Sequence, residues 1–246
     1  MFIITSFVLL SFHAQNTSSQ TDQDHIPQSV KVAKKKNPGD LPYDGFYKNQ
    51  VRILAYMPNE PRTIDFASRA SFNALGKQEQ DDYSPQNWGV AIVSDSVDYV
   101  VPMIRGGYFV LPDLPQARAE KAKLLFNTTT QKNFLKTAWI LRHRDNAISY
   151  ADFARSFDEV KQIQEKIKWY ELNLRDEKKA SFDSLKACFL TSGGNILLND
   201  VPAKTGEQGR CIWLKFDPEQ TKSNPMIKFV GELEIVSLAN TEESQF

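Results

Sequence analysis

Nucleophilic chemistry has few candidates in this sequence. Of its three histidines, His13 and His25 lie near the start, leaving His143 in LRHRD between Arg142 and Arg144. A Ser-His-Asp arrangement would have to use it, yet no Gly-x-Ser-x-Gly elbow occurs, and it reads as a surface histidine among arginines. One histidine excludes a His-rich zinc site, and two cysteines are too few for a four-cysteine module. Neither Gly106-Gly107 nor Gly193-Gly194 is followed by the Lys and helix of a phosphate-binding loop. Paired carboxylates are the remaining catalytic chemistry: Asp81-Asp82, Asp176-Glu177 and Asp145 with Asp152 are candidates, although acidic pairs occur on every soluble surface. LPYDG and LLNDVP carry single acids without the oxygen-ligand spacing of a calcium loop. No catalytic residue, metal ligand or cofactor is assigned.

Aromatic side chains are the better lead. Trp88, Tyr99, Trp139, Trp169, Tyr170 and Trp213 have the ring faces to stack on a sugar or anchor a protein interface, with core packing as the competing use of each. Trp88, after DDYSPQN, is the one placed nearest a loop.

Cys188 and Cys211 stand 23 positions apart, each beside apolar residues on a candidate strand. In an exported chain a disulfide is the natural reading, stabilising by roughly 3 kcal/mol through loop closure; two buried free thiols and a reactive or metal-binding role are the alternatives. Export is suggested by Met1–Ala14, where FIITSFVLLSF is uncharged and about half the roughly 20 residues a membrane span needs. It reads as a signal peptide cut near Ala14, the alternatives being an uncleaved anchor and an apolar structured start. Residues 15–40 are a polar leader carrying the basic cluster Lys31, Lys34, Lys35 and Lys36.

Positioning falls to residues 41–240, expected as a single β-rich domain or two subdomains divided near 145, with 241–246 as a tail. Strands are expected at 51–57, 62–72, 88–94, 97–103, 107–112, 122–127, 137–143, 195–200, 211–216 and 226–238, from their alternating or short apolar runs. The clearest helix is 149–166, with Ser149 as N-cap, Asp152 in the first turn, and Tyr150, Phe153, Ala154, Phe157, Val160, Ile163 and Ile167 on one face. Its opposite face, Asp158, Glu159, Lys161, Gln162 and Glu165, is expected in solvent. A weaker helix is expected over 176–187. The fold class is mainly β (α+β), sandwich-like antiparallel sheets with the 149–166 helix packed on them.

Within this frame, GGYFVLPDLP at 106–115 resembles the Gly-x-Phe-x-Leu-Pro-x-Leu-Pro signature of carboxypeptidase-regulatory-like, transthyretin-like β-sandwich domains, through Gly107, Phe109, Leu111, Pro112, Leu114 and Pro115. The resemblance implies a structural or binding module with no catalytic residue. The whole arrangement, with SYADFAR and ACFLTSGG, is also similar to uncharacterised exported bacterial proteins, which implies a periplasmic or secreted location.

The 246 residues hold 30 basic and 30 acidic side chains, and residues 41–246 hold 26 and 27. This balance lacks the electrostatic footprint of a nucleic-acid binder. The reading is an exported, non-enzymatic binding or structural protein of the cell envelope, with an envelope protein or polysaccharide as partner, no nucleic acid, and no stable membrane span after signal cleavage. Its alternative is a carboxylate-dependent hydrolase of an envelope polymer.

Overall fold

The computed structural model describes residues 41–72, 89–104, 107–126 and 133–241. The expected signal peptide and leader, with the lysine cluster, as well as Asp81-Asp82, Trp88 and the last five residues, lie outside them.

Three antiparallel sheets carry the fold. The largest has the order β13-β14-β10-β16-β8-β2-β6-β5: β13 (Gly206–Gln208), β14 (Cys211–Lys215), β10 (Ser184–Phe189), β16 (Leu233–Ala239), β8 (Asn133–Leu141), β2 (Ile64–Phe72), β6 (Tyr108–Phe109) and β5 (Met103–Ile104). Its central ladder runs from Ile64 opposite Leu141 to Phe72 opposite Asn133. Period-2 alternation sends Ile64, Phe66, Trp139, Leu141, Leu185, Ala187, Ile212, Leu214, Val236 and Leu238 to one core, while Ala67, Ala138, Cys188, Cys211, Trp213, Ile235 and Ala239 share another. A second sheet orders β1 (Leu41–Pro42), β7 (Lys123–Phe126), β3 (Val90–Val93) and β4 (Asp98–Val101). A third orders β12 (Val201–Pro202), β11 (Asn195–Leu198), β15 (Met226–Val230) and β9 (Ala147–Ser149). The mainly β, α+β class holds, with the strands divided among three sheets.

Five helices complete the described residues: α1 (Tyr43–Tyr56), α2 (Pro115–Ala119), α3 (Tyr150–Lys166), α4 (Arg175–Lys179) and α5 (Gln220–Ser223), besides a 3₁₀ turn at Leu172–Leu174. Helix α3 is the one expected. The Asp152 N–H donates to the Ser149 hydroxyl at 3.0 Å, and Phe153, Val160 and Ile163 enter the core shared with the large sheet. The expected solvent stripe is broken at Glu159, which is buried because its carboxylate accepts the Thr63 N–H (2.8 Å) and hydroxyl (2.9 Å) where β2 begins.

Two expectations are overturned. VRILAYM at 51–57 is the end of α1, not a strand. A window opened at Val51 hides the longer period, in which Tyr43, Gln50, Ile53 and Met57 are buried at helical spacing. Pro58 ends the helix: the residue before a proline is driven out of the α region, and Met57 sits at ψ 147°. The helix expected over 176–187 stops at Lys179. From Ser184 the chain is β10, buried throughout, because Leu185, Ala187 and Phe189 fill one core while Cys188 meets Cys211 on the opposite side. The run at 107–112 is shorter than expected, a two-residue β6 followed by irregular chain. Gly107 there has φ 83°, and Phe109 and Leu111 point into the core of the second sheet.

Candidate functional site

Helix α3 is 17 residues long, about 25 Å at 1.5 Å per residue, and each of its ends presents a different surface. At the C-terminal end, Ile167 is buried, breaks the helical path with ψ 119° and still donates its N–H to the Ile163 carbonyl. The next four residues form a β-turn: the Glu171 N–H donates to the Lys168 carbonyl at 3.1 Å, leaving Trp169 and Tyr170 as the central pair. The same turn is clamped in reverse, because the Glu171 carboxylate accepts the Lys168 N–H at 2.7 Å. Glu171 is buried and also accepts the Tyr56 hydroxyl at 3.0 and 3.1 Å. Desolvation, reinforced by that carboxylate, holds the Tyr56 hydroxyl above the ordinary phenol value, so it remains a donor. Leu174 anchors the far side of the turn in the core.

Between these anchors two large rings stand in water. Trp169 is 85% exposed and Tyr170 63%. Their ring centroids are 5.8 Å apart with an interplanar angle of 81°, an edge-to-face arrangement that leaves ring surface free. Cations contact the segments that anchor the turn. The Lys166 ammonium donates to the Tyr56 carbonyl at 2.8 Å, the Lys178 ammonium to the Gln164 and Ile167 carbonyls at 3.0 and 2.6 Å, and the Arg52 guanidinium lies 3.9 Å from Glu171.

At the N-terminal end lies an open cleft of about 780 Å³ between α3, the β8–β9 hairpin and β15. Arg144 and Ala147 exchange backbone hydrogen bonds of 3.0 and 2.9 Å across Asp145-Asn146, whose φ values of 51° and 53° make a two-residue turn of the mirror-image type. The cleft is rich in cations, but they are mostly closed on themselves. Arg142 and Arg62 both bind Glu60 and Asp65, Arg155 binds Asp152 and Glu159, and Lys228 binds Asp200. Burial acting alone would raise the Asp65 carboxyl; hydrogen bonds from Arg142 and Arg62 outweigh it and hold it below the usual value. Arg144 is the cleft cation with no carboxylate partner among the described residues. His143 packs edge-on to Phe229 at 6.1 Å, and the desolvation this brings lowers its imidazole below the ordinary value.

The structure separates the candidate residues sharply. Among the aromatics, Trp139 is core, Trp213 is buried beneath the Lys186 ammonium 5.2 Å from its ring, and Tyr99 is half-buried against the second sheet's core; Trp169 and Tyr170 are the exposed pair. Among the acids, Asp145 and Asp152 line the same cleft. Glu177 accepts the Thr137 hydroxyl at 3.0 Å, and the side chain of Asp176 lies outside the described residues. Asp44 of LPYDG pairs with Lys48, and Asp200 of LLNDVP with Lys228. No cluster of three or more His, Cys, Asp or Glu with metal-holding geometry occurs among the described residues.

Cys188 and Cys211 are joined in a disulfide, directly opposite on β10 and β14 and buried. No helix among the described residues is long and apolar enough to cross a membrane. The clamp residues Glu171, Tyr56 and Arg52 had not been singled out in the sequence; a helical reading of 43–57 would have put Arg52 and Tyr56 one turn apart on one face. Compared with known proteins, the chain matches no family model, no curated protein and no solved structure.

Proposed function

We propose that this is an exported, non-enzymatic binding protein of the cell envelope and that Trp169 and Tyr170 are its contact surface. The carrying observation is the exposure of two adjacent rings on a turn held from both sides by buried groups. Covering apolar surface stabilises by about 2 kcal/mol per large side chain, and a ring kept in water on a fixed backbone delivers that to a partner with little ordering cost. Aromatic anchors of this kind dominate interface energies. The disulfide supports export, since such bonds persist in oxidising compartments, and the resemblance of Gly107 to Pro115 to regulatory-like sandwich domains supports a binding module.

Co-sedimentation with purified, insoluble envelope polysaccharide tests this reading. The Trp169→Ala/Tyr170→Ala variant is expected to retain the wild-type urea midpoint and to lose at least about tenfold in affinity. Undiminished sedimentation of that variant would overturn it.

A second reading, a carboxylate-dependent hydrolase, is favoured by one observation: Asp145 and Asp152 share a cleft. Its requirement is turnover of the polymer that disappears in Asp145→Asn and in Asp152→Asn while Trp169→Ala spares it.

A further inference from the structure

We infer that the Trp169–Tyr170 turn takes an acidic polysaccharide, a chain of carboxylate-bearing sugars; the inference rests on the binding reading above and names its partner class. Four exposed cations lie in the turn or on the groups that flank it: Lys168 within it, Lys166 two residues before it, Lys178 on the Ile167 carbonyl that leads into it, and Arg52 3.9 Å from Glu171. Among the described residues Lys166 and Lys178 donate to backbone carbonyls and Lys168 has no side-chain partner, so none of these three ammonium groups is closed in an ion pair with a described carboxylate. The acid beneath the turn, Glu171, is buried and faces inward to Tyr56 and the Lys168 N–H. The exposed surface therefore combines two ring faces with three ammonium groups that enter no ion pair among the described residues.

A sugar ring matches the aromatic part. Its axial C–H face stacks on one ring while a second ring at 81° bounds it laterally, and the tyrosine hydroxyl and indole N–H reach sugar hydroxyls. Carboxylates on the same sugars match the cations, which attract them in a salt-dependent way. An anionic membrane is the other surface that aromatic and basic residues suit, but it is favoured by a broad apolar stripe on a helix lying in the interface, whereas here two rings sit on a four-residue turn closed by one backbone hydrogen bond.

The test uses the full mature chain in titration calorimetry with three probes: polygalacturonate, neutral dextran, and phosphatidylglycerol–phosphatidylcholine vesicles. The expected result is binding to polygalacturonate that weakens as salt rises from about 0.05 to 0.5 M. It should fall roughly thirtyfold in Trp169→Ala and about fivefold in Arg52→Gln/Lys168→Gln, with dextran bound weakly or not at all. Dextran bound as tightly as polygalacturonate, with the charge variant unaffected, would overturn the acidic class and leave the aromatic surface standing. Binding to the vesicles alone would overturn the glycan. Failure of all three probes, joined to unchanged envelope sedimentation by the Trp169→Ala/Tyr170→Ala variant, would overturn both the inference and the reading beneath it.

Discussion

The two ends of α3 are both tied into the fold by hydrogen bonds and differ in what they leave for another molecule. Each is tied to a distant segment by a buried glutamate: Glu159, midway along the helix, takes the N–H and hydroxyl of the cleft-lining Thr63, and Glu171 takes the Tyr56 hydroxyl besides the Lys168 N–H of its own turn. At the N-terminal end that closure continues outward. Ser149 caps the helix, Arg155 answers Asp152, and Arg142 answers Asp65 and Glu60, so most of the cleft's charge is matched within the fold. At the C-terminal end closure stops at Glu171, which Tyr56 and Arg52 answer, and the Trp169 and Tyr170 side chains beyond it face water. Abundant charge in a cleft is thus poor evidence of a ligand when the charges answer one another; fixed and unanswered side chains are better evidence.

The contrast can be broken most severely from the core that both ends share. Phe153 is fully buried, with ring centroids 5.5, 5.1 and 5.6 Å from those of Tyr150, Phe157 and Phe216. Phe153→Ala is expected to cost about 3–5 kcal/mol in urea unfolding and to loosen both ends together. Loss of binding with full stability would show that Phe153 acts on the site rather than through the core.

A smaller perturbation separates the ends. Glu159→Gln and Glu171→Gln each weaken one buried acceptor and should each cost about 2 kcal/mol. The first should leave polysaccharide binding unchanged, whereas the second frees the turn and should weaken it severalfold. Equal losses of binding from the two would erase the distinction between the ends.

The mildest effect comes from acid. Asp65 has a depressed folded-state pKa, so the unfolded chain takes up its proton more readily. Its stabilisation is complete above the ordinary carboxylate range and is lost as pH falls through that depressed value. Asp65→Asn should therefore flatten the acid limb of the stability profile below about pH 4, measured as urea midpoint against pH, with Trp169 exposure unaffected.

Much of the N-terminal end was legible in sequence, because its signals are local. A Ser149 cap, an acid three residues on and a 3.6-residue apolar stripe are contained within one helix. Most strands were legible from their short β-branched runs for the same reason. The C-terminal end was half legible. Trp169 and Tyr170 stood among six aromatics with nothing local to divide exposed rings from core ones, since Trp139 and Trp213 occupy equally apolar segments. The deciding contact joins Glu171 to Tyr56, 115 positions apart, and Tyr56 lay in a run read as a strand. Glu159 was misplaced by a similar long-range contact, with Thr63, 96 positions away.

The most direct measurement is acrylamide quenching of Trp169 fluorescence, taken as the difference between the wild type and Trp169→Phe, with and without saturating polygalacturonate. The expected result is free quenching in the protein alone and strong protection once the polysaccharide is added. A Trp169 signal already shielded in the free protein, or one quenched equally while the polysaccharide is bound, would contradict the assignment of this turn as the contact surface.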